Sequence, residues 1–427
     1  MTQNTQDQRQ LMAILSRLSG RPEENIAPEL PLFGKGLGLD SVSGVALMTA
    51  LEEEFGITLD DIDLHMEALD SVGNLLKLVG DPTRRPKSWA RQLEQVATAA
   101  RLHEGRAGVE RVIGQVAASP GLTSRELAAR CSLPTPVVAA VRKELARAGL
   151  LEEAGKGARL TGPGEEIARG LRLGVDQTTE DPAETHRARR SPLFPELVER
   201  LTPLLEQRPK ADFALDQAKS LPETTAARAL LALDYGVLLG KRVAFVGDDD
   251  FTAVGLAVLG QMMEERGAAG PTRLTVLDID KRILSVMGGL ADQYGYPVEP
   301  VEYDARLPVP KQLVGTHDAF FTDPPYTVAG ARLFVSRGVE LCRPAGFLAF
   351  FSFANKGPRE MLEVHRAMVE IGLLVREVVP RFNRYEGASL WGNQSQMIVF
   401  EGTDVARSVE SGEYGGPLYT REFRKRG

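Results

Sequence analysis

Three carboxylates follow directly on a short apolar run in Val246-Gly247-Asp248-Asp249-Asp250-Phe251-Thr252. A turn that cradles a dinucleotide pyrophosphate needs glycines, so that the backbone can approach the phosphates. Aspartates in that place repel pyrophosphate and suit a cation instead: a sulfonium, a protonated amine, or both. A second apolar run, Leu274 to Leu277, ends in Asp278, an acid placed for ribose hydroxyls. Asp304, within Tyr303-Asp304-Ala305, falls where folds of this kind contact an adenine. A third run, Ala319 to Thr322, ends in Asp323-Pro324-Pro325-Tyr326. The prolines stiffen that turn and would hold Asp323 and Tyr326 over the reacting atoms.

The elements that must position these groups are apolar strands. Runs at Arg242 to Val246, Leu274 to Leu277, Ala319 to Thr322, Phe347 to Phe351, Leu373 to Val379 and Met397 to Phe400 have helical patterns between the early members. That alternation predicts a mostly parallel, doubly wound α/β sheet over residues 193–427, with ligands at the carboxyl ends of its strands, where the carboxylates fall. Upstream, a helix around Val112, a helix capped by Thr123 or Ser124, and a third over Val137 to Ala148 stopped by Gly149 precede two short strands at 150–152 and 158–161. The order predicts a winged helix over residues 105–168. Gly170 to Pro192, polar and without apolar period, reads as the clearest linker.

A different chemistry opens the chain. Leu11, Ile14, Leu15 and Leu18 have helical spacing, and Gly38-Leu39-Asp40-Ser41-Val42-Ser43 begins a second helix with Val45, Met48, Leu51 and Phe55 on one face. An acidic segment with Asp60, Asp61 and Asp63 and a last helix capped by Ser71 complete a four-helix bundle over residues 1–80. A serine at a helix N-terminus lies in positive dipole potential, which favours an attached phosphodiester. Together with Glu52-Glu53-Glu54-Phe55-Gly56-Ile57, the Asp40-Ser41 pair resembles the attachment site of acyl and peptidyl carrier proteins. That resemblance implies 4'-phosphopantetheine on Ser41, a phosphopantetheinyl transferase as partner, and assembly-line enzymes as further partners.

The transferase motifs carry a second resemblance. Gly247-Asp248-Asp249-Asp250, Leu277-Asp278-Ile279-Asp280 and Asp323-Pro324-Pro325-Tyr326 together resemble the branched-chain polyamine synthases. Asp216-Gln217 with Pro222-Glu223-Thr224, and Asn383 to Ser389, extend the likeness to roughly residues 105–425. It implies an adenosylmethionine-methyltransferase-like (Rossmann-like) domain that moves aminopropyl groups from decarboxylated S-adenosylmethionine to an amine nitrogen, releasing methylthioadenosine. On that basis Gly247, Asp248, Asp278, Asp304 and Gln217 hold the donor. Asp323, with Asp249 or Asp250, serves as base and amine anchor beside Tyr326, and Glu386, Pro324 and Pro325 contact the acceptor. A carrier domain is not part of that family's pattern. The acceptor is therefore open between a spermidine-like polyamine and a carrier-tethered amine.

The competing reading is a methyl transfer from intact S-adenosylmethionine to a nitrogen of a carrier-bound substrate. Asp-Pro-Pro-Tyr suits it; the aspartate triplet suits it less. Transfer of a 3-amino-3-carboxypropyl group fits poorly, because the triplet repels the donor's carboxylate. A carrier-linked regulator acting through Arg142, Lys143 and Arg147 of the winged helix is the non-enzymatic alternative. A net charge of -7 argues against nucleic-acid binding, which wants a basic surface. Two distant cysteines and ungrouped histidines exclude a disulfide framework and predict no metal site. A polar start and the lack of a long apolar stretch predict a cytoplasmic protein without membrane contact. A homodimer is a further expectation.

Overall fold

The computed structural model describes residues 3–55, 69–80, 89–174, 183–386, 393–420 and 422. The chain forms two compact units, residues 1–98 and 99–427.

In the first unit, helices Gln3–Ser19, Ser41–Phe55 and Val72–Gly80 enclose a core that includes Leu11, Leu15, Leu32, Leu47, Leu51 and Leu75. The acidic segment expected around Asp60 to Asp63 lies outside the described residues. The core face of the second helix is built on Leu47 and Leu51, and Val45 is 67% exposed rather than packed inward. Asp40 sits just before that helix, its Oδ1 accepting the Ser43 N–H at 2.8 Å.

The second unit begins with helices Gly105–Ala118, Ser124–Cys131 and Thr135–Arg147, then an antiparallel hairpin of β1 (Leu151–Ala154) and β2 (Gly157–Leu160). Thr123 and Glu126 form a reciprocal capping box at the second of these helices. Arg142 does not face solvent. Its guanidinium is buried and donates to Ser124 Oγ, Glu153 and the Gly157 carbonyl. The end of the expected linker is packed as well: Arg187 makes a bidentate pair with Glu377, and Arg189 donates to the Phe382 carbonyl.

The rest is a mixed sheet of eight strands: β3 (Lys219–Ser220), β4 (Arg242–Val246), β5 (Arg273–Asp278), β6 (Val298–Glu302), β7 (Ala319–Thr322), β8 (Leu348–Phe353), β9 (Leu373–Glu386) and β10 (Gln394–Gly402). Their spatial order is β3-β9-β10-β8-β7-β4-β5-β6. β6, β5, β4, β7 and β8 run parallel, and β10 and β9 add antiparallel. The central strands are covered on both faces, which is why their sequences are continuous apolar runs. The chain leaves β4 toward β5 on one side and enters β7 on the other, so a crevice opens at the carboxyl end of β4. Helix Thr252–Glu264 starts there and is crossed closely by helix Pro222–Asp234. A Cβ on Gly255 would lie 2.7 Å from Thr225 Cγ2, so only glycine permits this approach.

β9 is longer than its apolar run. Its register against β10 slips between Ser395 and Met397, and Arg381 sits opposite the slip with φ of 57°. This bulge lets the strand continue past Val379 and carries Asn383 and Tyr385 into the interior.

Candidate active site

A cavity of about 60 Å³ lies at the carboxyl ends of β4, β5 and β7. Its wall includes Gly247, Asp249, Asp278, Asp323, Pro325 and Gln217. Gly247 takes φ of 73°, and its N–H bonds to the Leu277 carbonyl at 2.8 Å, which turns the chain sharply at the strand end.

The three aspartates that follow have three different environments. Asp248 is buried and spends both oxygens on the helix it precedes, accepting from Thr252 N at 2.7 Å and Ala253 N at 2.8 Å. Burial pushes its carboxyl up to about 8, against the pull of those two amides. Asp249 faces the cavity and, among the described residues, accepts only from the Ala218 N–H, at 3.1 Å. Burial, then the charges of Asp250, Asp323 and Asp278, raise it well above the usual carboxylate range. Asp250 points the other way: Ser220 N donates to Oδ1 at 2.8 Å and Arg228 to Oδ2 at 2.7 Å. The alternatives Asp249 and Asp250 are therefore unequal, because Asp250 does not line the cavity and both its oxygens are engaged.

Arg228 is the hub that the sequence reading missed. It is 3% exposed, and every arm is used: Nε donates to Asn383 Oδ1 at 2.8 Å, Nη1 to Asp250 and to Thr252 Oγ1, and Nη2 to Asp323 Oδ2 at 2.9 Å and the Tyr385 hydroxyl at 3.0 Å. Burial alone would lower its pKa, but Asp250, Tyr385 and Asp323 outweigh burial and keep it charged. The signal for it was an arginine inside the otherwise apolar run Ala226-Ala227-Arg228-Ala229-Leu230-Leu231-Ala232.

Asp323 Oδ2 accepts from Arg228 and, at 2.6 Å, from the Tyr385 hydroxyl. Its carboxyl is raised to about 6 by burial, which Arg228 partly offsets. Tyr385 in turn lies 2.8 Å from Ser395 Oγ, and Tyr326 reaches the Tyr385 oxygen at 3.4 Å. Tyr326 thus stands beside Asp323 through Tyr385, with its ring edge on Phe353. Pro325 lines the cavity, whereas Pro324 is buried behind it.

At the end of β5, Asp278 accepts from Asp248 N at 3.0 Å and Asp280 N at 2.8 Å, and burial raises its pKa. Gln217 bridges Asp212 N and Asp280 Oδ2, which fixes its amide at the rim. Asp304 is displaced from its expected place: it accepts from Arg306 N in a turn, and its neighbours Tyr303 and Ala305 line the cavity instead. Glu386, the last residue of β9, is exposed opposite Lys219 and outside the cavity wall. For phosphopantetheine, Ser41 is the first residue of its helix, so the group would sit at the positive end of a 15-residue helix. The Ser41 side chain itself lies outside the described residues. Among the described residues no cluster could hold a metal ion, and no helix is long and apolar enough to cross a membrane.

Comparison with known proteins matches residues 196–424 to the branched-chain polyamine synthase A C-terminal domain and residues 9–79 to the phosphopantetheine attachment site. An uncharacterized protein of Methanocaldococcus jannaschii is 34% identical over 320 residues, 74% of this chain and 79% of its own length. An N(4)-bis(aminopropyl)spermidine synthase of Thermococcus kodakarensis is 31% identical over 263 residues, 61% of this chain and 72% of its own length. The crystal structure of the branched-chain polyamine synthase from Thermus thermophilus, in complex with N4-aminopropylspermidine and 5'-methylthioadenosine, matches with a TM-score of 0.60 at 27% identity, covering 78% of this chain and 98% of that one.

Proposed function

The chain belongs to the branched-chain polyamine synthase family, and from that premise we propose that it is an aminopropyltransferase whose acceptor nitrogen is presented at Asp323. The observation that carries the reading is the pair Asp249 and Asp323 in the wall of one cavity at the strand ends. Decarboxylated S-adenosylmethionine brings a sulfonium and an ammonium and no carboxylate. Burial and then its acidic neighbours raise Asp249, and those two positive charges would offset the repulsion among the carboxylates, so the site suits a dication. Asp278 and Gln217 take the nucleoside, with Gly247 allowing close approach.

The amine lone pair attacks the methylene carbon beside the sulfonium. The carbon–sulfur bond breaks, its electrons go to sulfur, and methylthioadenosine leaves as a neutral thioether. The attacking nitrogen sheds a proton to Asp323. Arg228 and Tyr385 hold Asp323 Oδ2, and no described residue donates to Oδ1, which is the oxygen assigned to the proton. General-base help of this kind contributes about 10²–10⁴-fold. Tyr326 positions the Tyr385 hydroxyl rather than touching Asp323 directly.

The domain reading is a carrier over residues 1–80, a winged helix over 105–168 and the transferase over 193–427. The winged helix is taken as structural, because Arg142 is consumed inside it and Arg147 pairs with Glu144. Ser41 accepts phosphopantetheine from a phosphopantetheinyl transferase. The acceptor is a spermidine-like polyamine or an amine tethered to that arm.

One incubation separates the donors. Protein is mixed with spermidine and either decarboxylated or intact S-adenosylmethionine, and the nucleoside product is identified by mass. Methylthioadenosine from the decarboxylated donor is expected. Adenosylhomocysteine from the intact donor would replace this reading with N-methyl transfer. A parallel intact-mass measurement after treatment with coenzyme A and a phosphopantetheinyl transferase should show a gain that Ser41→Ala abolishes.

A further inference from the structure

Asn383 is fully buried, carried by the far half of β9 into the space between Arg228 and two serines. Only one orientation of its amide satisfies those neighbours. A guanidinium has no acceptor, so the atom that meets Arg228 Nε at 2.8 Å is the amide oxygen. The amide nitrogen therefore faces the other way, toward Ser395 Oγ at 2.9 Å, Ser352 Oγ at 3.2 Å and the Gln396 carbonyl at 3.2 Å. A carbonyl can only accept, which agrees with that orientation.

The direction of the hydroxyls follows. The Tyr385 hydrogen is spent on Asp323 Oδ2 at 2.6 Å, so in the 2.8 Å contact between Tyr385 and Ser395 the serine donates. Ser395 Oγ in turn accepts from Asn383. A chain of donors thus runs one way, from the Asn383 amide through Ser395 and Tyr385 to Asp323. Arg228 Nη2 and the Tyr326 hydroxyl donate to the same Tyr385 oxygen, at 3.0 and 3.4 Å, and add to that direction. Donors in series polarise one another, so each strengthens the next. Asn383 also fixes the plane of Arg228, holding Nε while Nη1 and Nη2 reach Asp250 and Asp323. An aspartate at this position would have nearly the same shape and the opposite effect. Its second oxygen would draw the Ser395 hydrogen away from Tyr385, and its charge would compete with Asp323 for one guanidinium.

We infer that Asn383 is the positioning residue of the base: its amide sets the plane of Arg228 and the direction of the hydroxyl chain, so that Asp323 Oδ2 receives donors only and Oδ1 is left for the proton of the acceptor amine. For the identity of that amine this rests on the aminopropyl-transfer reading. Asn383 lies outside the cavity wall and acts through Arg228 and Tyr385.

The test reads the ionisation of Asp323 directly, by carbon-13 carboxyl NMR titration of the full chain labelled at aspartate, with the signal assigned by its loss in Asp323→Asn. In parallel, methylthioadenosine release from decarboxylated S-adenosylmethionine and spermidine is followed against pH. Asn383→Asp should raise the Asp323 midpoint, and with it the acid limb of kcat/KM, by about one unit or more. Ser395→Ala leaves Asn383 bonded to Arg228 and should raise the midpoint by about 0.1–0.6 unit. Ser395→Thr keeps the hydroxyl, has an adjoining cavity of about 140 Å³ for its methyl group, and should restore the midpoint. If Asn383→Asp does not fold, the serine pair decides. A midpoint that stays or falls in Ser395→Ala overturns the positioning role, as does an activity loss in Asn383→Asp that is uniform across pH. The titration needs no turnover, so the two readings fail separately. A midpoint that moves as expected in a protein releasing no methylthioadenosine removes the transfer and keeps the positioning role; release with an unmoved midpoint does the reverse.

Discussion

Tyr385→Phe removes one hydroxyl from the hydrogen-bond network around Asp323 and Arg228 and leaves the ring. The ring is 5% exposed and keeps its packing, and Arg228 still holds Asp323 Oδ2. What Asp323 loses is the 2.6 Å hydrogen bond to its carboxylate; Arg228, Tyr326 and Ser395 lose their contacts to the same hydroxyl, which leaves the charge of Arg228 in place. A hydrogen bond to a charged group contributes about 1.5–3 kcal/mol, and 1.36 kcal/mol moves a pKa by about one unit. Because Arg228 remains, the lower end applies, and the Asp323 carboxyl should rise by about one unit from about 6. The acid limb of kcat/KM against pH reports the free enzyme's base, so it should move up by that amount. At pH 6 the ionised fraction falls from about one half to about one tenth, a loss of about fivefold, whereas at pH 9 the two enzymes should differ little from this cause. The assay is methylthioadenosine release at low donor concentration from pH 5 to 9, with thermal unfolding of both proteins as a control for folding. A loss that is uniform across pH, with the acid limb unmoved, would refute the assignment of Tyr385 to the ionisation of Asp323.

Three further perturbations follow from the same contacts. Asp249→Asn removes the cavity carboxylate that we propose meets the donor's cationic groups. The KM for decarboxylated S-adenosylmethionine should rise about 10–100-fold, and affinity for the intact donor should change far less in equilibrium binding. Arg228→Met strands Asp250 and Asp323 without their shared cation. Urea unfolding of the second unit should show a loss of about 3–5 kcal/mol, and a loss below about 1 kcal/mol would contradict the hub role. Glu377 is held at about 2, chiefly by the Arg187 hydrogen bond, with Tyr235 and His186 also facing it. Its folded pKa lies below the ordinary value of 4.5, so its stabilising effect is complete above that value and is lost as pH falls toward 2. Thermal melts of Glu377→Gln should therefore be less pH-dependent than wild type between about pH 5 and 2.

How far the sequence speaks depends on what each residue is surrounded by. β4, β5, β7 and β8 are readable because burial on both faces demands unbroken apolar runs. β6 escapes that rule: it is the sheet edge, it reads Val-Glu-Pro-Val-Glu with both glutamates exposed, and it tolerates Pro300. β3 is two residues long and has no pattern to read. The far half of β9 is hidden because the bulge at Arg381 interrupts its period, and that half carries Asn383 and Tyr385.

The site divides along the same line. Carboxylates at strand ends are visible, since the fold dictates where ligands sit and the apolar runs mark where strands stop. The division of labour among Asp248, Asp249 and Asp250 is not visible, because successive residues of a tight turn point in different directions. One meets the helix amides, one the cavity and one Arg228, so identical side chains receive different partners from the same short turn. The same logic explains why Arg228 decides more of the chemistry than its sequence context suggests. A guanidinium with five donors can satisfy Asp250, Asp323, Asn383, Thr252 and Tyr385 at once, drawn from three stretches of chain that only the folded sheet brings together.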